Sequence, residues 1–321
     1  MPRYVRFVEH GIAHTGVVRH DHVHDLPGDP DILALLRASA AERDDVLLRA
    51  GRQQRKPVAG MRLLAPVEPR AMRDFVAFEA HIAGMKKNEP GDGTVPEQWY
   101  EAPAFLFMNP WSVVGTGSEI PMPPLTERLD FELEVAAIVK DTVRDVPIEE
   151  AAEHIAGYCI LNDWSARDIQ GREMRVGLGP SKGKDFANTL GPWLTTPDEL
   201  EPYREGDRLA LEMTVAINGE IVGGDNLRNM SWSFEEMLVH ASRDAWVGAG
   251  DVLASGTAST GALSERWARA GGELVIPPLQ VGDVVTMTVE GLGTIENRVV
   301  EQRSPGHTVP RARRTYGADR L

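Results

Sequence analysis

The sequence predicts an α+β protein, mostly β, with helices packed outside the sheets and a small N-terminal domain ahead of a larger body. Three observations carry this. Leu209, Leu211, Met213, Val215 and Ile217 alternate with other residues and run into Asn218-Gly219, which is a strong hairpin signal. Short apolar runs are repeatedly launched from Gly-Asp pairs, at Gly250-Asp251-Val252-Leu253 and Gly282-Asp283-Val284-Val285. Helical periodicity is confined to a few short segments, so the count favours strands with peripheral helices over a doubly wound sheet.

Taken in order, Tyr4 to Glu9 and Gly11 to Val18 read as two strands. Asp29 with Pro30 behind it reads as an N-cap and first helical residue, opening a helix through Ile32, Leu33, Leu35 and Leu36. A second amphipathic piece ends near Gly51. The basic and polar run from Arg52 to Lys56 leads to a domain boundary near residue 65, and Pro66 to Pro69 opens the body, so the expected division is 1–65 and 66–321. Phe75 to Ile82 reads as helix or loop. Gly84 to Ala104 is rich in Gly, Pro and charge, and long irregular segments of this kind are commonly lids or binding loops. Phe105 to Val114 reads as strand, Pro147 to Ala156 as a helix stopped by Gly157, and Tyr158 to Leu161 as a buried strand ending at Asn162-Asp163. Ser233 to Ser242 reads as a capped helix. Val284 to Val289 and Thr294 to Val300 are the closing strands, and the basic tail Arg311 to Arg314 reads as a solvated end.

Composition sets bounds. The chain has 321 residues and 42% hydrophobic content, enough for a sizeable core. A net charge of −14 argues against nucleic acid or an anionic membrane surface as a partner. It does not argue against a small anionic substrate, because a bound cation reverses the field locally. Cys159 is the single cysteine, which excludes an internal disulfide framework and points to a reducing, cytoplasmic setting. No apolar run follows Met1-Pro2-Arg3-Tyr4 as a signal peptide would require, and no stretch has the ~20 apolar residues of a membrane span.

The chemistry begins at Asp130-Phe131-Glu132-Leu133-Glu134-Val135. Alternation of Leu129, Phe131, Leu133 and Val135 with Asp130, Glu132 and Glu134 predicts a strand with one apolar and one acidic face. Glu132 and Glu134 then project together, and two carboxylates so placed repel unless a cation lies between them. Mg²⁺ and Ca²⁺ prefer such oxygen donors. The plainer alternative is the exposed acidic face of an edge strand. Asp163, at the end of an apolar run, adds a third oxygen donor, or else caps the turn that follows it.

These pieces fall in an order that resembles the fumarylacetoacetate hydrolase family, over roughly Asp74 to Val300. The residues that carry the resemblance are Leu129-Asp130-Phe131-Glu132-Leu133-Glu134, Gly157-Tyr158, and Asn162-Asp163-Trp164-Ser165-Ala166-Arg167-Asp168-Ile169-Gln170. Lys184-Asp185-Phe186, Gly191-Pro192-Trp193, Asn218-Gly219-Glu220 and Ser255-Gly256-Thr257 continue it. The resemblance implies a β-roll fold, a divalent metal and a homodimer. By position, Glu132, Glu134 and Asp163 match the metal carboxylates, and Asp74 matches a fourth acidic ligand of the fumarylacetoacetase branch. Arg167, Gln170 and Lys184 match residues that face substrate, where cations neutralise charge building on a leaving enolate or carboxylate. His81 matches the histidine of the branch that splits carbon–carbon bonds with water, paired in the family with a glutamate. Here the sequence departs from the pattern: Ala258 to Glu265 does not align cleanly, and Glu265 is the candidate partner. In the acylpyruvase branch that glutamate lies three residues after the histidine, where this chain has Gly84.

The function so implied is a hydrolase dependent on Mg²⁺ (or Mn²⁺ or Ca²⁺) that cleaves a 2,4-dioxo acid, such as an acylpyruvate, with a small anionic 2-oxo acid as its ligand. The alternative is a metal-dependent decarboxylase, tautomerase or hydratase of a 2-oxo acid working through an enolate. A third reading keeps the fold and the metal without catalysis. Two other signals carry little. His20-Asp21-His22-Val23-His24-Asp25 lacks distant ligands to complete a metal site. Gly177 to Lys184 has the wrong spacing for a phosphate loop, with Asp185 where Ser or Thr belongs.

Overall fold

The computed structural model of the protein describes residues 2–88, 93–303, 307 and 309–313. Among the described residues the chain is mostly sheet. A 12-stranded sheet runs in the order Arg55–Pro57, His22–Asp25, Ile12–Arg19, Arg3–Glu9, Asn188–Thr195, Ile155–Asp163, Leu133–Val139, Val252–Ala254, Met72–Phe75 and Phe105–Met108. Arg62–Leu64 pairs with Arg3–Glu9, and Val113–Val114 pairs with Asn188–Thr195. A second, five-stranded sheet has the order Glu220–Asn226, Glu212–Ile217, Val284–Val289, Gly293–Val300 and Glu119–Pro121. Among the described residues no closed barrel forms, and the expected α+β class with peripheral helices holds.

Strand Leu133–Val139 shows why the large sheet reads as an apolar run. Leu133, Val135, Ala137 and Val139 share a core with Met213, Val215, Met287 and Ile295 of the second sheet. On the other face Ala136 and Ile138, with Cys159 and Leu161, meet Ile32, Leu33 and Leu35 of the N-terminal helix Ile32–Arg37. A sheet covered on both faces selects apolar residues at every position. Each fully buried Val, Leu or Ile contributes about 1.5–3 kcal/mol of transfer free energy.

The predicted hairpin is present: Asn218 and Gly219 both take positive φ (51° and 84°) between Glu212–Ile217 and Glu220–Asn226, as a tight primed turn requires. Ser233 caps Phe234–Ser242 in a reciprocal box with Glu236.

Other expectations need correction. The acidic run is not one strand. Leu129–Asp130 pairs with Ser165–Ala166, the chain breaks at Phe131-Glu132, and a new strand starts at Leu133. Nor is it an exposed edge, since every residue from Leu129 to Val139 is buried. The N-cap of the first helix is Asp31, whose carboxylate accepts from Ala34 N at 2.7 Å. Asp29 lies in a turn at φ 46° and ties back to Thr15 N and His14 instead. The helix expected to Ala156 ends early, at Ala151 with a 3₁₀ turn to His154, because Ile155 is drawn into pairing with Val139. Phe105 to Val114 is two short strands separated by a 3₁₀ turn at Pro110–Ser112. His22–Asp25, within the histidine tract, is a strand. Part of the expected lid, residues 89–92, lies outside the described residues. The remainder holds the end of helix Glu79–Met85 and helix Glu97–Glu101.

Candidate active site

The alternation of the buried strands places the acids. On Ile155–Asp163, Cys159 and Leu161 face the core that lies away from the second sheet, and Asp163 continues that row at the strand end. On the adjacent Leu133–Val139, Ala136 and Ile138 face the same core, and Glu134 and Glu132 continue in step. On Met72–Phe75, Met72 faces it, and Asp74 follows two residues later, paired in register with Ala254. Three strands therefore deliver Asp74, Glu134 and Asp163 to one spot, and Glu132 joins them from the break just before Leu133, each offering a ligand atom within 4.8 Å of the others. All four are buried.

Two cations serve part of this cluster. Lys184 Nζ lies 2.5 Å from Glu132 Oε2 and donates to Asp163 Oδ2 as well. Arg167 Nη2 lies 2.8 Å from Glu132 Oε1, its Nε donates to Asp130 Oδ2 at 2.8 Å, and its Nη1 donates to Gln170 Oε1 at 3.1 Å. Arg167 and Gln170 stand one turn apart on helix Arg167–Met174. Lys184 is held by a loop whose backbone N–H groups at Ser181, Lys182 and Gly183 all donate to Glu173. Gly183 is required there, since a Cβ would sit 2.7 Å from Gln170 N. Neither cation is a solvated side chain: Lys184 is 7% and Arg167 11% exposed.

The electrostatics divide the four acids. Burial pushes the Glu132 carboxyl up, but Lys184 and Arg167 outweigh it and hold the group far below the usual carboxylate range. Burial lifts Asp163 to about 7 against the pull of Lys184. Burial, then the neighbouring acids, lift Asp74 and Glu134 well above the ordinary value. Both Glu134 oxygens and Asp74 Oδ1 are buried with no hydrogen-bond partner. Buried charges are expected to be paired or to bind metal. An all-oxygen set with orphaned buried carboxylates is what a hard divalent cation completes, and these four residues could hold one.

Beside the cluster, His81 Nδ1 lies 2.8 Å from Glu265 Oε2. His81 belongs to helix Glu79–Met85, and Glu265 to Leu263–Arg269. Glu265 is fully buried, and its Oε2 also accepts from Thr260 N at 2.7 Å while Arg269 holds Oε1. Burial pushes the Glu265 carboxyl up, but the bonds from His81, Arg269 and Thr260 prevail and lower it below the ordinary value. The structure therefore brings every expected site residue into one region: Asp74, Glu132, Glu134, Asp163, Arg167, Gln170 and Lys184 around the acids, and His81 with Glu265 alongside.

Residues that sequence reasoning missed connect these parts. Asp130, with 0% exposure, takes Arg167 Nε on Oδ2 and the backbone N–H groups of Leu263 (Oδ1, 2.9 Å) and Ser264 (Oδ2, 3.0 Å). It thereby joins the arginine at the acids to the start of the helix that carries Glu265. It is the third acid of the same alternating run, and that was the available signal. Asn188, with its amide nitrogen turned to the acid, donates to Asp163 Oδ1 at 3.2 Å. Arg269 was visible only as the cation four residues after Glu265. Two clefts of about 720 Å³ reach none of the four acids, whereas a cleft of about 370 Å³ is lined by Phe107, Pro180 and Lys184.

A model described as "Fumarylacetoacetate (FAA) hydrolase C-terminal" matches residues 70–300. The chain is 29% identical over 260 residues to the fumarylacetoacetase of Arabidopsis thaliana, covering 68% of this chain and 61% of that protein. The chain therefore spans about three-fifths of the length of that relative. A solved structure of a fumarylacetoacetate hydrolase from the psychrophilic Exiguobacterium antarcticum is similar at TM-score 0.74 and 27% identity, over 94% of this chain and all of that one. The maleylpyruvate hydrolase of Sphingobium sp. SYK-6, solved with manganese(II) and pyruvate, shares the fold at TM-score 0.70 and 22% identity, over 94% of this chain and 100% of that one.

Proposed function

The chain belongs to the fumarylacetoacetate hydrolase family, and from that premise we propose a divalent-metal-dependent hydrolase that cleaves a carbon–carbon bond in a 2,4-dioxo acid of the acylpyruvate or fumarylacetoacetate type. Asp74, Glu132, Glu134 and Asp163 hold the cation, Mg²⁺ or Mn²⁺ before Ca²⁺. When bound, it supplies Lewis acidity toward the 2-oxo acid end of the substrate. Arg167, Gln170 and Lys184 orient the substrate carboxylate and balance charge that develops on oxygen.

The observation that carries the hydrolytic reading is the His81–Glu265 pair. With Nδ1–H donated to a buried carboxylate, Nε2 is the nitrogen left to accept a proton from water. The hydroxide equivalent adds to the distal carbonyl carbon. The bond to the methylene carbon then breaks, and that fragment leaves with the electron pair and takes up the proton that His81 accepted from water. With an acylpyruvate the products are a carboxylic acid and pyruvate, and with a fumarylacetoacetate-like substrate a carboxylic acid and acetoacetate. Pyruvate and manganese(II) in the Sphingobium enzyme support this choice of metal and product class.

The test is to assay His81→Ala and wild type with acetylpyruvate for hydrolysis and oxaloacetate for decarboxylation. Loss of a general base should lower hydrolysis by about 10²–10⁴-fold and leave decarboxylation unchanged. Wild-type protein that turns over oxaloacetate but leaves every acylpyruvate intact would sink the hydrolase reading in favour of the enolate alternative.

A further inference from the structure

Glu265 is a carboxylate whose two oxygens do different things. Oε2 faces His81 Nδ1 and the Thr260 N–H. Oε1 faces Arg269, whose Nε lies at 2.7 Å and Nη2 at 2.6 Å. The same Nη2 donates to the Ala80 carbonyl at 3.0 Å, one residue before His81. Helix Glu79–Met85 lies directly on this contact. At Gly84, a Cβ would come within 2.4 Å of Glu265 Oε1 and 2.7 Å of Arg269 Nη2. The guanidinium is thus wedged between the acid of the pair and the backbone that carries its base.

We propose that Arg269 is a positioning residue that fixes the geometry of the His81–Glu265 pair from behind, by bracing the carboxylate and the histidine helix with one planar fork. The chemistry favours an arginine. Its donors leave in fixed, coplanar directions, so one side chain can meet a carboxylate and a carbonyl together, which a lysine ammonium does not preorganise. Because a permanent cation satisfies Oε1, Oε2 is held as an acceptor toward Nδ1, and this selects the histidine tautomer with a free Nε2. Arg269 itself is 42% exposed, so its removal leaves the core filled and Thr260 still bonded to Glu265. The catalytic half of this inference rests on the hydrolase reading, whereas the tautomer half stands on geometry alone.

The experiment uses ¹⁵N-histidine-labelled full-length protein, with the His81 signals identified by their loss in His81→Gln. Wild type should show the Nδ1-protonated tautomer. Arg269→Gln should show a mixture with the Nε2-protonated form, and Arg269→Lys an intermediate state. In parallel, kcat for acetylpyruvate should fall on the order of tenfold in Arg269→Gln with KM unchanged, the scale of a lost outer-shell partner, while oxaloacetate decarboxylation stays at the wild-type rate. An unchanged tautomer in Arg269→Gln overturns the inference, whatever happens to the rate. A shifted tautomer with unchanged kcat overturns its catalytic half. If wild type hydrolyses no acylpyruvate, the hydrolase reading falls and the tautomer alone decides whether Arg269 positions the pair.

Discussion

At the scale of single residues, Glu134 is the most exposed to test, because it is buried with neither oxygen partnered. Without metal it costs stability, and with metal it should return it. In EDTA, Glu134→Gln should melt at or above the wild-type temperature. Saturating Mn²⁺ should raise the wild-type midpoint, a gain of about 2.7 kcal/mol at a hundredfold excess over Kd, and should leave the variant unmoved. A full Mn²⁺ shift in Glu134→Gln would remove this residue from the metal site. Glu265 offers a pH test. Its carboxyl is held below the ordinary 4.5 when folded. A depressed value stabilises the fold above the unfolded pKa, and the contribution is lost as pH falls through the folded one. The stability gap between wild type and Glu265→Gln, from urea unfolding, should therefore be full at neutral pH and narrow below about pH 4.5, near the reference carboxylate value. A gap constant with pH would mean that ionised Glu265 contributes nothing to folding.

At the scale of elements, the segment after His81 is pinned at its far end. Trp99 Nε1 donates to the Val76 carbonyl at 2.7 Å, and Tyr100 Oη donates to Glu79 Oε1 at 2.6 Å. Helix Glu97–Glu101 is thus tied to the chain that leads into helix Glu79–Met85. If the expected lid closes over ligand, hydrogen exchange should slow at Lys86 to Asn88 and at Gly93 to Val95 when Mg²⁺ and oxalate are added. Amides next to Trp99 should be protected in both states. Equal exchange throughout would leave the segment a loop and nothing more.

At the scale of the molecule, the boundary proposed near residue 65 is crossed by sheet hydrogen bonds. Arg3–Glu9 pairs with Asn188–Thr195, and that strand pairs with Ile155–Asp163, which ends at a site acid. The face of Ala136 and Ile138 is covered by Ile32, Leu33 and Leu35 from the N-terminal segment. A chain beginning at residue 66 would expose both that apolar face and a strand edge, a known route to aggregation. The expected outcome is an insoluble fragment, or one with Mn²⁺ affinity well below that of the full chain. A soluble 66–321 fragment with full affinity would make the first 65 residues an independent domain. Among the described residues no helix is long and apolar enough to cross a membrane.

What the sequence determined by itself was whatever lies within a strand's reach. Period-two alternation carried Glu132 and Glu134 to one side, the run to Asp163 ended a buried strand, and Asn218-Gly219 set the hairpin, because these follow from local backbone geometry. Asp74 joined the carboxylate set only through the resemblance to the family, which the order of the motifs along the chain carried. The tertiary structure alone decided which acids receive a cation and which stay orphaned, since Lys184 approaches from a separate loop and serves Glu132 and Asp163 but not Glu134. It also decided the partner of His81. Glu265 lies 184 residues further along the chain, and only the packing of two helices, with Gly84 leaving room between them, brings the carboxylate to 2.8 Å. The same holds for the break at Phe131-Glu132. Asp130 is turned to serve Arg167 and the Glu265 helix, a demand from distant backbone that no local period can register.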